Sequence, residues 1–259
     1  MSNNKEEYTL FYWPKIPGRG EFVRLCFELA SVPFDQVNEV PQLVKLISNK
    51  SGLHIAAPHF AVPVLGIRSG DRMHYISQTP VILTFLAPRL GLLGDAEKLQ
   101  GLERDVAVAQ IHQLCATALD LNNETHDTHH PVSVSSYYED QIQESKRRAA
   151  DFKQNRLPKF LGLFQVALSK DGAGADKKSA AKRRLWGSKT TVADLTVFQV
   201  VDGLLFAFPK CMNKLRQRGE YKCVFDLHQD IKGELKSYLD SDRRKTYFQW
   251  CFQALSRTR

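Results

Sequence analysis

Tyr8-Thr9-Leu10-Phe11-Tyr12-Trp13 is a run of β-branched and aromatic residues stopped by Pro14, and Pro17-Gly18-Arg19-Gly20 follows it as a turn signal. Phe22, Val23, Leu25, Cys26, Phe27, Leu29 and Ala30 then recur at helical spacing and end before Pro33. Phe34 to Val40 reads as a second strand and Pro41 to Leu46 as a weak helix. Val62-Pro63-Val64-Leu65-Gly66-Ile67 is a short strand whose proline sits near its start, where a missing N–H is tolerated. Met73 to Ile76 is another strand, and residues 78–90 form a helix with Pro80 in its first turn. The order β-α-β-α-β-β-α predicts a small α/β sandwich.

Strand character is lost after Gly94. Leu102 to Leu121 is a long helical run, and Tyr137 to Leu168 is another, with Pro158 marking a kink or break. Thr191 to Phe208 is a third; Phe225 to Leu239 and Tyr247 to Leu255 are shorter. The reading is therefore an α/β domain over residues 1–93 joined to an all-helical domain over residues 97–259. Residues 169–189, rich in Gly, Ala, Ser and Lys, are the one low-complexity stretch and are expected to form a solvated loop.

Composition excludes several classes. The chain has 259 residues, 43% apolar and 25% charged, which are ordinary globular values and argue against disorder or collagen-like repeats. No run approaches the ~18 apolar residues of a membrane span. Residues 1–7 are polar with both charge signs, unlike a signal or transit peptide, so the cytoplasm is the expected location. The net charge is +8, and much of the excess lies in Lys177-Lys178 and Lys182-Arg183-Arg184. No aromatic interleaving accompanies that run, so nucleic acid is not an expected partner. Five cysteines are scattered without a CxxC pair, which gives neither a zinc framework nor a redox dithiol.

Four stretches in order resemble the cytosolic glutathione transferases of the tyrosine type, in the sigma-like branch with microbial members. They are Tyr8–Trp13 with Gly18-Arg19-Gly20-Glu21-Phe22-Val23-Arg24-Leu25; Phe60-Ala61-Val62-Pro63-Val64-Leu65; Ser77-Gln78-Thr79-Pro80-Val81-Ile82-Leu83-Thr84-Phe85-Leu86; and Trp186-Gly187 with Thr191-Val192-Ala193-Asp194-Leu195. The resemblance implies a thioredoxin-like N-terminal domain, an all-α C-terminal domain and a homodimer. It also implies glutathione as co-substrate, a small electrophile as second substrate, and no metal.

The chemistry expected of each residue follows. Glutathione carries a thiol much like free cysteine, with a pKa of about 8.5, and the thiolate is the nucleophile. A phenol donating a hydrogen bond to the anion favours the charged form. By spacing alone Tyr12 is an ordinary strand aromatic; the resemblance makes it that donor. A cysteine mechanism would need its nucleophile near Pro17, where there is none, while Cys26 lies among apolar neighbours. The resemblance implies a cis bond at Val62-Pro63, with the Val62 backbone pairing with the cysteinyl backbone of glutathione; otherwise this is an edge-strand proline. Gln78-Thr79 opens a helix, whose free N–H groups suit a carboxylate or need only a cap, and the resemblance implies that this pair holds the γ-glutamyl end of glutathione. The glycine carboxylate would meet Trp13 and Lys45, with Lys50 as the alternative cation. Residues 47–59 look like an insertion there. Arg19 fits the family's Gly-Arg-Ala-Glu motif, with Gly20 in place of Ala, and either orients the Tyr12 region or stays on the surface.

Thr191 and Asp194 have capping-box spacing, a folding device. Glu124-Thr125-His126-Asp127-Thr128-His129-His130-Pro131 matches no zinc spacing, leaving metal binding, a substrate-pocket cluster or structural hydrogen bonding open. The functional expectation is conjugation of glutathione to small, apolar electrophiles. Its rivals are a glutathione-dependent isomerase and a non-catalytic glutathione-binding protein on the same fold.

Overall fold

The computed structural model describes residues 6–48, 57–169 and 182–247. The chain divides into two compact units. One comprises Met1–Leu92 with Leu235–Thr246, the other Leu93–Glu234 with the residues from Tyr247 onward. The return of residues 235–246 to the first unit is not foreseen by a division at residues 93–97.

The first unit is built on a four-stranded mixed sheet of order β2-β1-β3-β4, from β1 (Glu7–Phe11), β2 (Asp35–Val37), β3 (Val64–Ser69) and β4 (Arg72–Ser77). β1 runs parallel to β2 and antiparallel to β3, and β3 is antiparallel to β4. Tyr8, Leu10 and Tyr12 are buried while Thr9 and Phe11 are half-buried, the period-two signature of a strand with one face in a core. Helix α1 (Gly20–Ala30) joins β1 to β2. Helix α2 (Val40–Ile47) follows β2, and α3 (Thr79–Arg89) follows β4. Leu10, Val23, Leu25, Phe27, Val64, Leu65, Ile82, Leu83 and Leu86 have no exposed surface and form the core. Each buried leucine or isoleucine there is worth roughly 2–5 kcal/mol against alanine. The short helix Lys236–Leu239, from late in the chain, belongs to the same unit.

The second unit is helical. A long helix, Gly101–Asp127, packs on Val192–Ala207, a helix buried on nearly all sides. Ile142–Asp151, Leu157–Ser169, Pro209–Arg218 and Lys222–Glu234 complete it. The break expected at Pro158 is a π turn, Phe152–Arg156, directly ahead of it. Pro158 has no N–H to donate and its ring crowds the preceding turn, so the chain widens there rather than ending. Arg156 in that turn clamps Glu124 of the long helix with Nε to Oε2 at 2.9 Å and Nη2 to Oε1 at 2.6 Å. No single helix among the described residues is long and apolar enough to cross a membrane.

Two expectations are corrected or fall outside the described residues. Of residues 182–189, Lys182, Arg183, Ser188 and Lys189 are exposed as expected of a solvated loop, but Arg184 and Leu185 are buried. Arg184 is buried, with Nε donating to Thr190 Oγ1 at 2.9 Å and Nη2 to Glu234 Oε1 at 2.5 Å, and Lys182 reaches the same carboxylate at 3.0 Å. Asp230 and Glu234, one turn apart on their helix, supply counter-charges that lie some fifty residues away in sequence. Lys50, Lys177, Lys178 and residues 248–255 of the last expected helix lie outside the described residues.

The capping box is present. Asp194 Oδ2 accepts from the Thr191 N–H at 2.7 Å and the Thr191 hydroxyl at 2.8 Å, and Oδ1 accepts from the Leu185 N–H at 2.9 Å. Asp194→Ala removes the cap and strands these buried donors. Chemical denaturation is expected to show a loss of about 2–4 kcal/mol.

Candidate functional site

Strand register gathers the residues of interest at one end of the sheet. Phe11, the last residue of β1, pairs with Val64, the first of β3, and Val64 pairs with Ser77, the last of β4. Tyr12, Val62-Pro63 and Gln78-Thr79 are the residues just beyond these three. With neighbouring strands about 4.8 Å apart, they emerge within roughly 10 Å of one another along the sheet. Val37 of β2 ends alongside Phe11, and the chain turns there into α2.

Tyr12 extends β1 by one bond, its N–H donating to Val37 O at 3.1 Å. Its side chain is buried against the turn that opens α1. A Cβ on Gly20 would stand 2.5 Å from Tyr12 Cγ, and one on Gly18 would stand 2.2 Å from the Tyr12 hydroxyl. Gly18 also has φ +42°, a conformation that side chains disfavour. The glycines are therefore what let the ring lie flat on the turn, and Gly20 is required where the related motif has Ala. The hydroxyl accepts the Arg19 N–H at 2.7 Å. Burial raises the Tyr12 pKa, against the opposing pull of the Arg19 and Gly20 N–H groups and the Arg24 guanidinium. The phenol thus stays protonated at neutral pH. With a lone pair engaged by the Arg19 N–H, its proton remains available to an outside acceptor.

Val62-Pro63 is cis, and the sheet ladder begins only at Val64. Gln78 precedes α3 with φ 71° and ψ 116°, an uncommon conformation for a residue with a side chain. Thr79 is 1% exposed, and its hydroxyl oxygen is buried without a hydrogen-bond partner at the start of that helix. Such a group costs about 1–3 kcal/mol unless something pairs with it. Trp13 is half-buried next to Tyr12. Arg19 is exposed, with its backbone on the Tyr12 hydroxyl. Lys45 is exposed in the last turn of α2.

One residue at this end of the sheet escaped the sequence reading. His59 is buried, and its Nδ1 shares a hydrogen bond with Ser77 Oγ at 3.0 Å, tying the segment before the cis proline to the last residue of β4. Burial lowers its pKa. It lies within the stretch read as an insertion, and no spacing signal marks it.

Residues 126–242 match the family model for the glutathione S-transferase C-terminal domain. Similar solved structures include a sigma-class glutathione transferase of Fasciola hepatica, 17% identical, TM-score 0.67, covering 94% of this chain and 98% of that one. A pi-class glutathione S-transferase of Onchocerca volvulus is 21% identical, TM-score 0.62, with 90% and 92% covered. A prostaglandin D synthase of Nilaparvata lugens is 16% identical, TM-score 0.60, with 91% and 98% covered. No curated protein sequence matches. The chain has the glutathione S-transferase fold, and residues 126–242 are similar to that family's C-terminal domain.

Within the matched region, the histidine cluster sits at the end of the long helix. His126 and His130 have ring centroids 5.4 Å apart, His129 and His130 4.5 Å, and His129 stacks on Tyr138 at 4.3 Å. Gln141 organises the following loop, accepting from the Val132 and Ser133 N–H groups at 2.9 and 3.2 Å and donating to Ser133 O at 2.9 Å. Among the described residues no group of three or more His, Cys, Asp or Glu is arranged to hold a metal ion. Burial, aided by the two neighbouring imidazoles, pushes His129 down to about 4.

Two outcomes are expected. Gly20→Ala forces the Tyr12 ring off the turn and lowers stability by roughly 1–3 kcal/mol in denaturant titration. His129 is held neutral when folded but takes a proton near pH 6.5 when unfolded. Its contribution is therefore present above about pH 6.5 and lost as pH falls toward 4, up to about 3 kcal/mol. His129→Phe, which keeps the stacking, is expected to flatten that part of the stability–pH curve.

Proposed function

We propose that the protein is a glutathione transferase whose first unit binds glutathione and whose Tyr12 stabilises the thiolate. The observation that carries this reading is the register of β1, β3 and β4, which brings Tyr12, the cis Val62-Pro63 and the opening of α3 to one end of the sheet. Tyr12 offers a neutral phenol with its own lone pair already engaged. At neutral pH only a few per cent of a free thiol is ionised, so a donor to sulfur raises the population of nucleophile. The sulfur lone pair then forms the C–S bond to a small, apolar electrophile, which releases its leaving group or takes up a proton.

The peptide's other contacts follow from the same end of the sheet. The orphaned Thr79 hydroxyl and the first-turn N–H groups of α3, with Gln78, suit the γ-glutamyl carboxylate. The Val62 backbone lies just outside the ladder, as an added strand would require. Trp13 and Lys45 are assigned to the glycine carboxylate, and Arg19 to the support of Tyr12. The protein acts as a cytoplasmic homodimer in this reading. Phe60, 89% exposed, is an apolar group of the first unit in need of a cover. A second reading, glutathione-dependent isomerisation, is favoured by the similarity to the prostaglandin D synthase structure; it uses the same thiolate and differs in product.

The test is an ultraviolet difference titration with glutathione at neutral pH. A saturable thiolate band is expected, and Tyr12→Phe should abolish it and slow conjugation of a model electrophile about ten- to hundredfold. A flat wild-type signal would sink the tyrosine mechanism. Product analysis separates conjugation from isomerisation.

A further inference from the structure

The first unit holds a cluster of buried ionised groups that the chemistry above leaves unused. Glu21 and Arg24, on adjoining turns of α1, both have fully buried side chains and pair at 2.9 Å. Glu21 Oε1 also accepts the Tyr238 hydroxyl at 2.6 Å and pairs with Arg244, whose side chain is nearly buried. Tyr238 and Arg244 belong to Leu235–Thr246, the segment that returns to this unit from late in the chain. Arg243 of the same segment pairs with Glu28 of α1 at 2.6 Å. Two guanidiniums, those of Arg24 and Arg244, therefore share the Glu21 carboxylate. Tyr238 does not supply a compensating negative charge, because burial and the Glu21 carboxylate hold its phenol far above the ordinary range. Burying ions is not a route to stability, since desolvation commonly outweighs the attraction.

Of this cluster, the Arg24 guanidinium faces Tyr12. The Arg24 guanidinium carbon lies 5.6 Å from the centre of the Tyr12 ring. Its Nη1 donates to Pro17 O at 3.2 Å, in the turn whose Arg19 N–H meets the Tyr12 hydroxyl. Its Nε donates to Gln36 Oε1 at 2.9 Å on β2, while its buried Nη2 has no hydrogen-bond partner. The charged groups that act on the Tyr12 phenol are Arg24 and Arg19, both of which make it more acidic. Glu21 pairs with Arg24, and Arg244 and Tyr238 contact the same carboxylate.

We propose that the segment Leu235–Thr246 tunes Tyr12. Arg24 is a positioning residue that aims positive charge at the phenol, and Arg244 and Tyr238 keep the Glu21 carboxylate from cancelling it. The proposal rests on the glutathione reading above. A more acidic phenol is a stronger hydrogen-bond donor to sulfur, so the late segment lowers the pH at which bound glutathione ionises.

The experiment is the thiolate titration repeated across pH on the full chain, with thermal unfolding as a control for folding. Arg244→Gln should move the midpoint for thiolate formation up by about half to one pH unit, a roughly three- to tenfold loss of thiolate at neutral pH that disappears in alkali. Tyr238→Phe should move it the same way by less. Glu21→Gln should move it down. Opposite signs on the two sides of one ion pair are the mark of a field, whereas a purely structural loss weakens glutathione binding without moving the midpoint. If Glu21→Gln does not fold, Arg244→Gln and Tyr238→Phe decide the matter. A folded Arg244→Gln protein with the wild-type midpoint overturns this proposal alone; absence of any thiolate signal in the wild type overturns the glutathione reading and this proposal with it.

Discussion

The pairing of Phe11 with Val64 and of Val64 with Ser77 is the constraint on which the candidate site depends. Strand side chains alternate between faces, so a slip of one residue in β1 would turn Tyr12 away from the Gly18–Gly20 turn and expose Leu10. The buried face of β1 and the turn glycines specify the same register. Leu10 needs the core, and Tyr12 needs a surface without Cβ atoms. That agreement between packing and local backbone is what places a phenol, a cis proline and a helix start at one end of the sheet.

Buried polar groups carry much of the specificity in both units. In the first, one carboxylate on α1 holds Arg24, Tyr238 and Arg244. In the second, Asp194 holds the N-terminus of the central helix, and Glu234 holds Arg184 and Lys182. Such contacts add little net stability once desolvation is counted, but each is costly to break singly. Their effect is to fix where chain segments distant in sequence return, as when residues 235–246 come back to α1. The unpartnered Thr79 hydroxyl and Arg24 Nη2 are exceptions to this satisfaction, and both lie in or beside the candidate site of the first unit.

The sheet, its flanking helices and the capping box were legible because each leaves a local signal, whereas the cis form of Val62-Pro63 was implied only by the family resemblance. Alternation marks β1, turn residues mark its end, Pro63 and Pro80 punctuate β3 and α3, and Thr191 with Asp194 has the spacing of a reciprocal cap. Pro158 announced a break but not its form, because the choice between a kink and a π turn is made by the packing of Phe152 and the clamp from Arg156 to Glu124. Arg184 was misread as part of a solvated basic loop, since its partners lie some fifty residues away and composition records only the charges. His59 was missed for the same reason: its partner Ser77 is a strand neighbour only in three dimensions.

By itself the sequence determined the class of the fold and the order of its elements, while Tyr12, Val62, Pro63, Gln78 and Thr79 became candidates through the family resemblance of their motifs. Hydrophobic period, turn chemistry and motif spacing are properties of contiguous residues. Only the tertiary structure decided that Gly20 must be glycine beneath the Tyr12 ring, that His59 joins Ser77, and that a carboxylate on α1 is shared with two residues from the other end of the chain. These depend on burial and on charges meeting across long sequence separations, and no local pattern encodes which distant partner removes a buried group from water.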